Sequence, residues 1–464
     1  MSVSVASGVA PRWTLRPGVY RATTPSGDLM LAAWPHSQLL GRAEPAVLAL
    51  LGALAEGPVT LSALLDATEP GDRAVLSATV DRLRAGGWLS KVVADSGREL
   101  YTVIPVATPV EAPVPAGDLA LSRFAVLRTT ADGLVLEAPG SWCDIRLHDP
   151  AVAALIADPS GDAGLSAGAA GQLRADLAAA GMLVTKDAPE PFEHRQWSGH
   201  ELWFHERSRL GNRGWFGASF GGTFWARGAH EPPPARPECY PGAAIDLARP
   251  DLAALCRTDP TLTTVLEERE SIRDHDDDNP ITIDQLGEFL YRCARVRMIR
   301  LIEGFEYASK PYPGGGSAYE LEVYPIVRLA AGLTAGMYHY DAHDHQLRLV
   351  QHAAHSSVRR LLKVATESSV TKSPPQVLFA ISARVGRILW KYEAMGYALI
   401  LKHVGVLQQT MYTVATAMNL APCAIGSGDD LAFISATGRD RFTECSVGEF
   451  MVGSRREEPL AWQL

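Results

Sequence analysis

Lys391 and Tyr392 stand side by side in GRILWKYEAMGYALILKHVGVL, which runs from Gly386 to Leu407. The stretch reads as one buried helix with a few polar positions. A lysine at the mouth of an apolar run is costly to desolvate, so its presence there calls for a reason. Such a pair has protons to give and to take. The plainer alternative is a lysine that snorkels to solvent beside a core tyrosine at a helix start.

Three further stretches carry groups that bind ligands. EERESIRDH holds Arg269, Ser271 and Arg273. Two guanidinium forks flanking a hydroxyl suit a phosphorylated ligand, and the alternative is a solvated charge run with Glu267, Glu268 and Glu270. KPYPGGGSAYELEVYP places Pro313, Gly314, Gly315, Gly316 and Ser317 before a strand. Bare glycine backbone lets a flat ligand approach closely, although an ordinary flexible turn has the same composition. The stretch lacks the Lys-Ser/Thr of a P-loop and the spacing of a dinucleotide-binding turn. NLAPCAIGSGDDL presents Ile425, Gly426, Ser427 and Gly428 after an apolar helix. Amide N–H groups there are able to donate to a ring nitrogen or carbonyl; a glycine helix terminus is the simpler reading.

These groups need a scaffold. From about residue 196 onward, helical segments alternate with short strands. ITIDQLGEFLYRCARVR (281–297) is a predicted helix, AYELEVYPIVRLA (318–330) and QVLFAISARV (376–385) predicted strands, and GMYHYDAHDHQLRLV (336–350) a predicted hairpin. The pattern predicts a mixed α+β domain. His339, His343 and His345 with Asp341 and Asp344 fall at that hairpin's tip, where such residues are common, and no metal site is expected. DHDDDNP (274–280) lacks the spaced ligands of a calcium loop.

Upstream lies a degenerate repeat. One copy has the strand DLMLAA, then EPAVLALLGAL, TLSALLDAT and LSATVDRLRAGGWLSKVV; the other has GLVLEA, DPAVAALIAD and GLSAGAAGQLRADLAAAGMLVTKD. Helices that end at Gly87 and Gly181 and lead into apolar residues suggest two winged-helix-like modules. Their last helices carry too few basic residues for a DNA-reading face, so peptide docking or a structural role is expected. The expected divisions are 1–105, 106–190 and 191–464.

The stretches SIRDHDDDNPITIDQLGEFLYRCARVR, PYPGGGSAYELEVYP, GMYHYD, WKYEAMGYALILKHVGVLQQTMYTVATAMNLAPCAIGSGD and SVGEFMVGS follow one another in this order. Collinear over about residues 195–455, and including WFHERSRLG (203–211), they resemble the SagB/ThcOx-type peptide dehydrogenases of the FMN-dependent nitroreductase superfamily. The resemblance implies an α+β, nitroreductase-like FMN-binding domain preceded by two winged-helix-like modules. It implies that Arg269, Ser271 and Arg273 hold the FMN phosphate and flavin edge, with Arg455 as a further phosphate contact. Pro313 to Ser317 match the loop that covers the flavin from a partner protomer; Gly314 stands where the family has serine, so backbone amides must supply that contact. Ile425 to Gly428 match the segment facing flavin N5. Lys391 and Tyr392 match a pair implicated in azoline oxidation, the conversion of thiazoline or oxazoline rings in a ribosomally made peptide to thiazoles or oxazoles. Free lysine and tyrosine titrate near pH ~10, so one must be shifted down to serve as base. The residue types leave open which one does so.

The implied partners are a leader-bearing peptide, a cyclodehydratase and a second copy of the chain. Other readings stand beside this one: an NAD(P)H-dependent nitro or quinone reductase, a dehydrogenase of another substrate, or a flavin-fold scaffold without activity. A chain of 464 residues predicts two to four domains, and a net charge of −9 argues against a general nucleic-acid surface. No secretory signal is expected in MSVSVASGVAPRW, and no apolar run is long enough for a membrane span. The six cysteines form no C-x-x-C pair, so reduced, buried thiols in a cytoplasmic protein are expected.

Overall fold

The computed structural model describes residues 9, 11–33, 36–211, 220–223, 225–371 and 373–456. Most of the opening stretch read for a secretory signal lies outside these residues. The chain divides into two compact units, Met1–Phe220 and Gly221–Leu464.

In the first unit, the strand Asp28–Ala33 is followed by helices Pro45–Glu56, Leu61–Asp66 and Arg73–Ala85, then by the antiparallel pair Leu89–Asp95 and Arg98–Pro105. Leu50, Leu54, Leu76, Val80 and Leu83 fill the core between these helices. The second copy is shorter. It has helices Pro150–Ala157 and Ala167–Ala179, separated by turns, and then only the strand Leu183–Thr185, paired with Leu119–Leu121. One six-stranded sheet takes strands from both copies, because Arg98–Pro105 pairs with Cys143–Leu147. The basic residues of the last helices have local partners: Arg82 donates to the Leu40 carbonyl, Arg84 lies over the Trp13 ring, and Arg174 donates to the Pro159 carbonyl.

The second unit is built on a seven-stranded antiparallel sheet. Its order is Ala244–Asp246, Gln346–His352, Gly336–Asp341, Leu321–Val327, Val377–Arg384, Glu444–Ser454, Leu420–Ile425. Both faces are covered, which is why the central strands read as continuous apolar runs. Alternate residues go to opposite cores. Phe379, Ile381, Phe450 and Val452 pack with Phe289 and Leu290 of helix Ile283–Ala294 and with Ile400, Val404, Leu407 and Met411 of helix Gly396–Ala417. Leu378, Ala380 and Met451 pack with Val358 and Leu361 of helix Ser356–Ser369 and Phe433 of helix Asp430–Thr437. Helix Ile283–Ala294 falls within the predicted stretch 281–297 and starts with a capping box between Thr282 and Gln285.

The stretch 386–407 is not the single helix its apolar pattern predicts. A short helix, Val385–Leu389, ends; Tyr392–Glu393 pair with Gly221–Gly222; Ala394 takes a left-handed φ of 63°; and the long helix starts at Gly396. Strand pairing to a distant segment overrides local helical propensity here. The cysteines also differ from expectation: all six are free, but Cys239 and Cys256 are exposed. His339 and His345 are buried core hydrogen-bonders, His339 beside Glu322 and His345 beside the Tyr340 hydroxyl. Among the described residues no cluster of potential metal ligands forms, and no helix is long and apolar enough to cross a membrane.

Candidate functional site

Lys391 and Tyr392 lie in the break between the two helices, where they meet the glycine loop. Lys391 Nζ donates to the Gly316 carbonyl at 2.9 Å and sits 4.4 Å from the centre of the Tyr307 ring. Gly316 has a left-handed φ of 58°, and a Cβ there would fall 2.4 Å from the Tyr392 hydroxyl and 3.0 Å from Lys391 Nζ. Conformation and contact both require glycine. Burial, with help from Tyr307, pushes the Tyr392 hydroxyl above its ordinary range, so this side chain keeps its proton near neutrality. That is the opposite of what a tyrosinate base needs.

The loop is held from two more sides. Gly315 N–H donates to His403 Nε2 at 2.7 Å, and His403 Nδ1 lies 2.7 Å from Glu320 Oε1. The other carboxyl oxygen of Glu320 is buried without a hydrogen-bond partner. Fully buried Arg387 donates to the carbonyls of Ala318 (Nε, 3.0 Å; Nη2, 2.7 Å), Pro233 (2.7 Å) and Glu306 (2.6 Å). Burial and the neighbouring Arg384 bring its guanidinium down to about 10. Gly314 leads into the 3-10 turn Gly315–Ser317, Pro313 is exposed, and Ser317 has a φ of 52°.

The second group surrounds a cavity of about 370 Å³ lined by Ile425, Gly426, Ser427 and Gly428, by Val404 and Gln408 of the long helix, and by Asp430, Ser446 and Glu449. Gly426 has neither a left-handed φ nor any atom within 4 Å of its Cβ position. Nothing inside the chain demands glycine there, which fits close approach of a flat ring to bare backbone. Ser427 turns its hydroxyl to Ser368. Gly315's partner His403 and the cavity wall Val404 are consecutive residues of one helix, about 100° apart around its axis. The structure therefore brings the Lys-Tyr pair to the glycine loop and the 425–428 segment to the cavity, on neighbouring faces of that helix.

One turn beyond Gln408, Tyr412 accepts from the Ala424 N–H at 2.8 Å and its hydroxyl is 2.8 Å from Ser271 Oγ. Arg269 lies over the Tyr412 ring at 5.4 Å. Ile272 N–H donates to the Pro422 carbonyl, so the extended segment with Arg269, Ser271 and half-buried Arg273 runs beside the strand that ends in the cavity. The set offers cations and a hydroxyl that fit a phosphate next to a ring site. Arg455, at the end of strand Glu444–Ser454, is engaged with Glu270 at 2.6 Å.

Sequence reasoning missed His403, Glu320, Arg387, Tyr412 and Glu449. Glu449 is the one with a local signal, a carboxylate within the apolar stretch EFMV. The others become visible only through partners tens of residues away.

Residues 266–453 match the family model described as the nitroreductase family, and residues 119–213 match that described as the cyanobactin oxidase ThcOx. The MJ1384 protein of Methanocaldococcus jannaschii, which carries a nitroreductase name, is 26% identical over 187 residues, 40% of this chain and 86% of its own length. The trifolitoxin-processing protein TfxB of Rhizobium leguminosarum bv. trifolii is 24% identical over 178 residues, 38% of this chain; the chain spans about half (48%) of TfxB. A structure of the E. coli microcin synthetase McbBCD complex with truncated pro-MccB17 aligns at 19% identity, covering 46% of this chain and 85% of that one, with a TM-score of 0.35. The nitroreductase match lies on the sheet, the cavity and the Lys-Tyr break and the oxidase match in the first unit, so the chain carries a nitroreductase-family domain together with a ThcOx-type segment, the combination that its resemblance to the SagB/ThcOx-type branch implies.

Proposed function

We propose that this chain is an FMN-dependent dehydrogenase that aromatises thiazoline or oxazoline rings in a ribosomally made peptide. The observation that carries this reading is the convergence of Lys391 and Tyr392 on Gly316, outside any regular helix and beside the helix that walls the cavity. Arg269, Ser271 and Arg273 would hold the phosphate of FMN, and residues 425–428 its ring. FMN, when bound, supplies a two-electron acceptor for hydride.

Aromatisation also removes a proton from the ring carbon next to the one that loses hydride, and moving it falls to the chain. Tyr392, which keeps its own proton, is suited to donate to the ring nitrogen. That leaves Lys391 to take the departing proton. Gly316 and Tyr307 hold its amine in place. The names of TfxB and of the cyanobactin oxidase model support a peptide-processing role; in this reading the partners are a leader-bearing peptide and a cyclodehydratase. In this reading a second copy supplies the remainder of each ligand site, and the first unit docks the peptide or the partner enzyme.

The test is mass spectrometry of an azoline-bearing peptide incubated with FMN and the protein. Loss of two hydrogens per ring is expected. An unchanged peptide mass, in a sample that is yellow and reduces rapidly with NAD(P)H, would replace this reading with a reductase.

A further inference from the structure

We infer that Glu449 is a hydrogen-bond donor on the cavity wall, presenting a neutral carboxyl to an acceptor atom, a carbonyl oxygen or ring nitrogen, of the heteroaromatic ligand seated against residues 425–428. This rests on the reading that a flavin occupies that cavity.

Glu449 belongs to the strand Glu444–Ser454, one in from the sheet edge, and is only 6% exposed, yet it lines the cavity. Ser446 Oγ donates to its Oε1 at 2.8 Å. Its second oxygen, Oε2, has no hydrogen-bond partner among the described residues, and no cation there pairs with the group. Asp430 lines the same cavity and accepts the Ser446 N–H at 2.9 Å, so one serine joins two carboxyl groups. Asp430 also has Arg441 at 3.9 Å and is more exposed than Glu449. Two carboxyls on one small cavity do not both ionise cheaply. Burial, reinforced by Asp430 and only partly offset by Ser446, pushes Glu449 up to about 7. From the long helix the cavity receives Tyr397, Val404 and Gln408, none of which is a charged side chain that would reverse this. Gly428 accommodates the arrangement: a Cβ there would lie 2.0 Å from Glu449 Oε1.

The test measures riboflavin affinity by fluorescence quenching on the full-length apoprotein between about pH 5.5 and 8.5. Riboflavin has no phosphate, so no phosphate titration enters. For the wild type, affinity should hold below about pH 7 and weaken roughly tenfold by the top of the range, as the donor becomes a carboxylate. Glu449→Gln, which keeps an uncharged N–H donor, should bind near the wild-type acid-limb affinity at every pH. Glu449→Leu should bind weakly at every pH. A flat wild-type profile with riboflavin bound overturns the inference, as does a Gln variant that keeps the wild-type slope. If neither riboflavin nor FMN binds at any pH, the flavin reading itself falls and takes the inference with it. Should a variant fail to fold, the wild-type profile alone decides.

Discussion

The amide of Gly315 donates to Nε2 of His403 at 2.7 Å, while the opposite ring nitrogen of His403 lies 2.7 Å from Glu320. An N–H donor requires a lone pair at Nε2, so the ring proton sits on Nδ1 and is donated to the carboxylate. The following residue, Gly316, gives its carbonyl to Lys391. Two consecutive loop residues are thus tied in opposite directions, one to a buried histidine and one to the proposed proton acceptor. His403 is a positioning residue in this arrangement.

His403→Phe removes the acceptor for Gly315 and should lower kcat about tenfold or more with flavin content unchanged, since misplacement of a reacting group is costly. His403→Gln offers an amide oxygen to the same N–H and should recover much of the loss. Equal damage in both variants would mean that the ring fills space and does not hold the loop.

Lys391→Ala and Tyr392→Phe should retain the yellow cofactor and lose turnover of an azoline peptide by about 10²–10⁴-fold, the usual range for a general acid or base. Full activity in both variants, measured by peptide mass, would remove the pair from the mechanism.

Arg387 serves carbonyls from three separate segments, at Ala318, Pro233 and Glu306. Arg387→Met strands them at about 1–3 kcal/mol each, so a loss of roughly 3 kcal/mol or more in urea unfolding is expected. A shift below about 1 kcal/mol would show that the surroundings re-satisfy these groups.

Arg269→Ala or Arg273→Ala should weaken FMN binding about tenfold or more, the scale of a lost charge-assisted hydrogen bond, and leave riboflavin binding little changed. Unchanged FMN occupancy after equilibrium dialysis would reject the phosphate role. Arg455→Ala should have a smaller effect, because Glu270 already engages it.

The Glu449 carboxyl ionises near 4.5 in the unfolded chain and at about 7 in the fold. Between those values the folded state binds more protons than the unfolded one, so stability falls as pH rises through this window. The loss attributable to this one group is roughly 3 kcal/mol in the apoprotein. Glu449→Gln should flatten that part of the stability profile. Parallel profiles for the two proteins, by thermal or urea unfolding across pH 5 to 8, would place the titration elsewhere.

Several features are legible in the order of residues alone. The runs at 318–330 and 376–385 announce strands, found at Leu321–Val327 and Val377–Arg384, and the stretch 281–297 announces the helix found at Ile283–Ala294. The order of the glycine-rich and arginine-bearing stretches carries the family resemblance. The predicted helix across 386–407 is where local reading fails, because apolar content cannot distinguish a continuous helix from two helices around a strand turn. Pairing of Tyr392–Glu393 with Gly221–Gly222 breaks it, and no window of neighbouring residues contains that information.

Amino-acid type and spacing alone determined the sheet-forming segments of the second unit and the helix within 281–297, since propensity and burial pattern act over a few residues. Tertiary structure decided which side chains meet and in what protonation state. It put Lys391 on the Gly316 carbonyl, Gly315 on His403, and Glu449 in a cavity beside Asp430. Hydrogen bonds and desolvation depend on the groups packed nearby in space, and in this fold those groups come from distant parts of the chain.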